Sequence, residues 1–161
     1  MHRPEALICT NSDHIEHCED LIKALPQMHF HIAALTEMSF KLTRMGRYAN
    51  VSLYPGVRTS ILDELFEHCD YYFDINHESE IMSAVYKAFL YDHLIFAFKE
   101  TVHNTDFTAE NNIYPADKWE QLCADVKIAM EDQKAMKKML QKQKKAAMAE
   151  PVMSYQKLLE E

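Results

Sequence analysis

The clearest hydrophobic pattern runs from residue 70 to residue 103. A short aromatic-rich apolar run, Tyr71-Tyr-Phe-Asp-Ile75, is followed by polar residues, then by apolar positions at helical spacing (Ile81, Val85, Phe89), then by a second apolar run, Leu94–Phe98. The pattern predicts two parallel strands joined by a right-handed helical crossover. Upstream the same alternation repeats. Glu5–Thr10 reads as a buried strand, and Asn11, Ser12 and Asp13 offer N-cap chemistry for a helix through Ile15, Cys18, Leu21, Ile22 and Leu25, stopped by Pro26. Residues 30–35 make a second strand, and residues 38–45 a helix with Phe40, Leu42 and Met45 apolar, closed by Gly46. Val51–Tyr54 is a third strand, Pro55 and Gly56 turn the chain, and Thr59 or Ser60 caps a helix with Ile61, Leu62, Leu65 and Phe66 inward. Residues 71–75 and Leu94–Phe98 complete five strands, with a helix beginning near Glu78 between them. Strands alternating with helices predict an α/β fold, a doubly wound parallel sheet of Rossmann-like type.

After Asn104 the pattern changes. Asn111, Asn112 and Pro115 mark a loop, and Trp119 starts a long helix with Leu122, Val126, Ala129, Met136 and Leu140 on one stripe. The expected division is therefore a Rossmann-like unit over residues 1–118 and a helical extension over 119–161 that packs back on it, its lysine-rich end loose or engaged elsewhere. Lys134, Lys137, Lys138, Lys142, Lys144 and Lys145 read as a solvated face, the alternative being a patch for an anionic membrane or an acidic partner. Pro151 ends that helix, and residues 154–159 read as a short helical turn or a frayed terminus.

Composition narrows the class. A chain of 161 residues, 48% apolar, buries a single-domain core comfortably. Its net charge of -8 argues against nucleic acid as a partner, because phosphate binding needs a basic field. Cys9, Cys18, Cys69 and Cys123 form no Cys-x-x-Cys pair, and two of them lie in or beside apolar elements, which fits free thiols in a reducing cytoplasm. No apolar run approaches the roughly 20 residues that span a bilayer, so no transmembrane segment is expected.

Most catalytic readings are weak. With only Gly46 and Gly56 in the chain, a glycine-rich cradle for a dinucleotide is absent. His14, His17 and Cys18 crowd one stretch but lack a fourth ligand at zinc spacing, so neither metal nor cofactor is expected. Ser12, His103 and Asp74 supply the residue types of a nucleophilic triad without a Gly-x-Ser-x-Gly elbow to present the serine.

Three strings point further: Ala6-Leu-Ile-Cys-Thr-Asn-Ser-Asp-His-Ile-Glu-His17, Leu25-Pro-Gln-Met-His-Phe-His-Ile-Ala-Ala-Leu-Thr-Glu-Met38, and Phe73-Asp-Ile-Asn-His77 with Ile81-x-Ser-Ala-Val85. Over about residues 5–115 the chain resembles the C-terminal Rossmann half of the accessory Sec glycosylation chaperones. The resemblance implies a two-domain GT-B glycosyltransferase architecture of which this chain would be the second half. It also implies a non-catalytic, stabilising role beside a catalytic glycosyltransferase subunit that adds O-GlcNAc to serine-rich-repeat surface adhesins before export. Cytoplasmic location follows, with peripheral attachment to the inner face of the membrane through partners. Active retaining relatives carry a Glu-x7-Glu pair before the last core strand. In the matching register this chain has Ser79 and Lys87, with Glu78 and Glu80 flanking the first position, so the donor-site acids are missing. The loop after the first strand lacks the basic residue that faces the donor diphosphate, and Asp13 there would repel it.

What remains is a polar strip predicted at the carboxyl ends of the strands: Asn11, Ser12, Thr36, Glu37, Asn76, His77, Glu78, His103 and Asn104. Amides, hydroxyls and imidazoles both donate and accept hydrogen bonds, as a serine-rich polypeptide acceptor requires. Asn76 and His77 also suit a local helix cap, and His103 an ordinary loop histidine. An active UDP-sugar transferase and a Rossmann-like assembly scaffold without ligand stay open as alternatives.

Overall fold

The structure, a computed structural model, describes residues 3–147; the Pro151 stop and the expected turn over 154–159 lie outside them. Strands β1 (Glu5–Thr10), β2 (His29–Ala34), β3 (Val51–Tyr54), β4 (Tyr71–Asp74), β5 (Leu94–Phe98) and β6 (Ile113–Tyr114) form one sheet in the order β3-β2-β1-β4-β5-β6. Every pairing is parallel. This is the expected doubly wound arrangement, in which the chain leaves β1 toward β2 on one side and later returns to pair β4 on the other. The carboxyl ends of β1 and β4 define its topological switch point.

Alternate residues along each strand enter opposite layers. Ala6, Ile8, Phe30, Ile32, Phe73 and Phe96 pack against α1 (Cys18–Ala24) and α5 (Trp119–Glu131) through Leu21, Ile22, Leu122 and Val126. Leu7, Cys9, Tyr72 and Ile95 pack against α3 (Thr59–His68) and α4 (Ala84–Leu90) through Leu62, Phe66, Val85 and Ala88. The Phe30, Phe73 and Phe96 rings run across three strands at centroid separations of 5.7 and 5.9 Å. Each buried phenylalanine contributes about 1.5–3 kcal/mol.

Several elements differ from the pattern-based expectation, each for a local reason. A sixth strand occupies part of the expected loop: Ala97 and Phe98 pair with Ile113 and Tyr114, a run too short to show a period. Asn11, Ser12 and Asp13 do not cap α1. Ser12 Oγ instead accepts from His14 N within a bend, Ile15 bridges to Asn76, and α1 begins only after His17, whose φ is 52°. Helix α2 (Phe40–Thr43) is capped by Ser39 and gives way to a 3-10 turn, so Leu42 is buried while Phe40 stands 80% exposed. Ile61, expected inward, is also exposed. Met82 and Ser83 hold φ of 48° and 55°, which breaks helical geometry and delays α4 to Ala84.

The long helix is two. At Asp132 the backbone becomes extended, and its carboxylate accepts from Lys134 N and Ala135 N to start α6 (Gln133–Ala147). The lysine-rich end is not loose. Gln143, buried among lysines, accepts from Ile95 N at 2.9 Å and donates to His93 O at 2.7 Å, while Asn112 donates to Ile95 O. These amides satisfy the edge of β5 where β6 is too short to reach.

Candidate functional site

The carboxyl ends of the strands carry most of the predicted polar residues, which the structure sorts into two neighbouring groups. At the switch point, β4 ends in buried Asp74, which accepts from His103 N at 2.7 Å and from its Nδ1 at 2.5 Å. His103 Nε2 donates to the Glu78 carbonyl at 2.5 Å. Both ring nitrogens therefore face acceptors, an arrangement that favours the doubly protonated ring. Hydrogen bonding to Asp74 outweighs the desolvation that opposes it and raises the His103 pKa to about 9. This geometry removes the triad reading: the Asp74–His103 half exists, but Nε2 is engaged by a carbonyl rather than by Ser12.

Asn76 is the hub between the two halves of the sheet. Its Oδ1 accepts from Glu78 N and lies 3.3 Å from Thr10 Oγ1, and its Nδ2 lies 3.4 Å from Glu78 O and 3.2 Å from Ser79 O. Thr10 in turn donates to Ser12 O at 2.8 Å. Alongside, Glu16 N donates to Ile75 O and His77 N to His14 O, zipping residues 14–16 onto 75–77. The His14 and His77 rings stack at 3.9 Å, and His77 Nε2 meets Glu16 Oε2 at 2.6 Å. The switch point is thus filled by the protein's own side chains.

One strand over, between β1 and β2, space is open. A cleft of about 210 Å³ is lined by Ser12, Asp13, Thr36, Glu37 and Ser39, with Ser39 Oγ donating to Asp13 Oδ2 at 2.6 Å. Thr36 and Glu37 are exposed there, and Asn11 is exposed at the end of β1 outside the cleft lining. A larger cleft of about 380 Å³ adjoins it, with Asp13, His17, Asp20, Lys41 and Arg44 on its walls. Asn104 joins neither group, because its Oδ1 accepts from Asp106 N inside its own loop.

Ser79 and Lys87 are both committed to contacts within the fold. The Ser79 carbonyl faces Asn76, and the Lys87 ammonium sits 5.9 Å from the ring centroid of Phe66 on the neighbouring α3. Lys41 and Arg44 were not anticipated. Their one sequence signal is the i, i+3 spacing of two cations around Leu42. Among the described residues no group of three or more His, Cys, Asp or Glu side chains is arranged to hold a metal ion. The four thiols are free, and burial pushes Cys9 and Cys18 up to about 12 and Cys123 up to about 11.

This fold and sequence have known counterparts, and the profile of the GftB/GlyA-F C-terminal domain matches residues 6–143. The chain belongs to the GftB/GlyA-F C-terminal domain family. Within it, the chain is 51% identical over 120 residues to the Streptococcus agalactiae UDP-N-acetylglucosamine–peptide N-acetylglucosaminyltransferase stabilizing protein GtfB, covering 74% of this chain and 27% of that protein. The Limosilactobacillus reuteri protein of the same name is 40% identical over 157 residues, covering 98% of this chain and 36% of the relative. The chain thus spans about a third of the length of the curated relatives it matches. A chain in the crystal structure of a GtfA/B complex bound to UDP and GlcNAc superposes with a TM-score of 0.84 at 39% identity, over 98% of this chain and 35% of that one. The glycosyltransferase WaaG, at a TM-score of 0.64 and 13% identity, shares the GT-B-type Rossmann fold alone.

Proposed function

We propose that this chain provides the C-terminal Rossmann domain of a non-catalytic, stabilising subunit of a peptide O-GlcNAc transferase. The observation that carries the reading is the 40% identity over 157 residues to a protein named for stabilising such a transferase. Chemistry supports it. Ser79 and Lys87 stand where retaining transferases place acids, and the crevice in which an open α/β sheet holds ligand is closed by Thr10, Asn76 and the 14–16 segment. The sugar donor then belongs to a separate catalytic glycosyltransferase subunit. This chain contributes the serine-rich acceptor edge: Asn11, Ser12, Thr36, Glu37, His77 and Glu78 at the surface, with Asn76, His103 and Asn104 fixing the loops that carry them. The acceptors are serine-rich-repeat adhesins modified in the cytoplasm before export by an accessory Sec route, and contact with the inner face of the membrane through partners fits that order.

The test is a calorimetric titration with a serine-rich peptide and, separately, with UDP-GlcNAc. The peptide binds and the nucleotide sugar does not. Replacing Ser12, Thr36 and Glu37 together by alanine weakens peptide binding at least about tenfold, because hydrogen bonds of about 0.5–1.5 kcal/mol each are lost together. Turnover of UDP-GlcNAc by the chain alone, lost on changing Glu78 or Glu80, would overturn the proposal.

A further inference from the structure

The larger strand-end cleft, about 380 Å³ between the start of α1 and α2, uses its charges unequally. Each acid on its walls already has a partner. Asp13 accepts from Ser39 Oγ at 2.6 Å, Asp20 Oδ2 lies 2.8 Å from His17 Nδ1, and Glu19 accepts from Arg47 at 2.9 Å and from the Tyr48 hydroxyl at 2.7 Å. Lys41 and Arg44, exposed on the α2 side, make neither a hydrogen bond nor an ion pair among the described residues. The Arg44 guanidinium instead lies 5.9 Å from the ring centroid of Phe40, which stands 80% exposed. Two cations at i, i+3 spacing are therefore left available to something outside the chain.

The position of this pair narrows what that is. Asp13 and Leu42 line both this cleft and the one of about 210 Å³ that carries Thr36, Glu37 and Ser39, so the two are parts of one groove along the sheet edge. An extended polypeptide advances about 3.3 Å per residue, so a chain whose serines lie against Thr36 and Ser39 brings a side chain to Lys41 and Arg44 a few residues on.

Resting on the acceptor reading of that edge, we propose that Lys41 and Arg44 form a subsite for a carboxylate side chain of the polypeptide acceptor, an aspartate or glutamate set among its serines. Arg44 offers the planar fork that pairs a carboxylate through two hydrogen bonds, and Lys41 adds a point charge beside it. Phe40 next to Arg44 supplies exposed aromatic surface of the kind on which peptide contacts concentrate. A single carboxylate suits the site better than a diphosphate, because Asp13, Glu19 and Asp20 share the walls and their repulsion grows with each charge the ligand brings. The whole chain carries a net charge of -8, so long-range attraction favours a neutral peptide, and a preference for an acidic one has to arise at this local pair.

Fluorescence anisotropy of the 161-residue chain with two labelled serine-rich peptides tests the proposal, one with glutamates spaced among the serines and the other with glutamines in their place. At low salt the glutamate peptide binds at least about tenfold more tightly, and the gap narrows as salt rises. Lys41→Gln with Arg44→Gln lowers the affinity for the glutamate peptide to that for the glutamine peptide. Circular dichroism checks that the double variant folds; if it does not, Arg44→Gln alone and the salt series on the unaltered chain decide the matter. Equal affinity of the unaltered chain for the two peptides would overturn the proposal, as would a preference that persists in the folded double variant. Failure of both peptides to bind would overturn the acceptor reading itself, and this subsite with it.

Discussion

The switch point between β1 and β4 and the gap between β1 and β2 lie one strand apart at the same edge of the sheet, yet they are built in opposite ways. At the switch point Asp74, His103, Asn76 and Thr10 spend their hydrogen bonds on one another and on the Glu78 and Ser79 carbonyls. Between the ends of β1 and β2 a cleft of about 210 Å³ remains, and beside it one of about 380 Å³ between the start of α1 and α2, walled by residues of both charges. The crevice in which an open α/β sheet usually holds ligand is thus occupied by polar side chains of the chain itself, while the neighbouring part of the same edge stays open.

This contrast predicts a graded series of effects. Asp74→Asn should cost most, about 3–5 kcal/mol in urea denaturation, because both buried carboxylate oxygens accept from His103 and an amide would set its own N–H against one of those donors. Next comes pH. The His103 pKa is raised to about 9, so its contribution is complete below the ordinary histidine value near 6.5 and is lost as pH rises through about 9. Chemical denaturation between pH 6 and 10 should show a fall of about 1–2 kcal/mol, less than the full shift because solvent reaches and screens this imidazole, and the Asp74→Asn protein should show a much flatter profile. Thr10→Val, which deletes the hydroxyl between Ser12 and Asn76, should cost about 1–2 kcal/mol. Lys41→Ala, on the open side, should change stability by less than about 0.5 kcal/mol. If Lys41→Ala proved as damaging as Thr10→Val, the distinction between a closed and an open side would fail.

Much of the architecture was legible because each core strand is a contiguous apolar run and each crossover helix has its own period. Phe73 and Phe96, for example, sit at matched register on adjacent parallel strands. Short elements escaped the pattern: β6 has two residues, and the four-residue α2 leaves Phe40 in solvent where apolarity alone pointed inward. The break at Asp132 was hidden because Met136 and Leu140 continue the stripe of Leu122 and Val126 although the backbone does not. The candidate strip was visible as residue types, but its division was not. Nothing local distinguishes Asn76, bonded across to Thr10, from Thr36, which faces a cleft; only the tertiary pairing of residues 14–16 with 75–77 separates them. As residue types Asp74 and His103 match two members of a triad, and their actual role depends on the Glu78 carbonyl, which no side-chain pattern records.

Hydrogen exchange at two backbone amides tests the closed switch point most directly. Glu16 N donates to Ile75 O and His77 N to His14 O, each across the crevice. If the segments are zipped as described, both amides exchange only through opening of the sheet edge, with protection approaching that of β4 and unchanged by UDP-GlcNAc. Exchange as fast as in the exposed turn at residues 36–38, or protection that rises when UDP-GlcNAc is added, would mean that the crevice opens to the donor and would contradict the account.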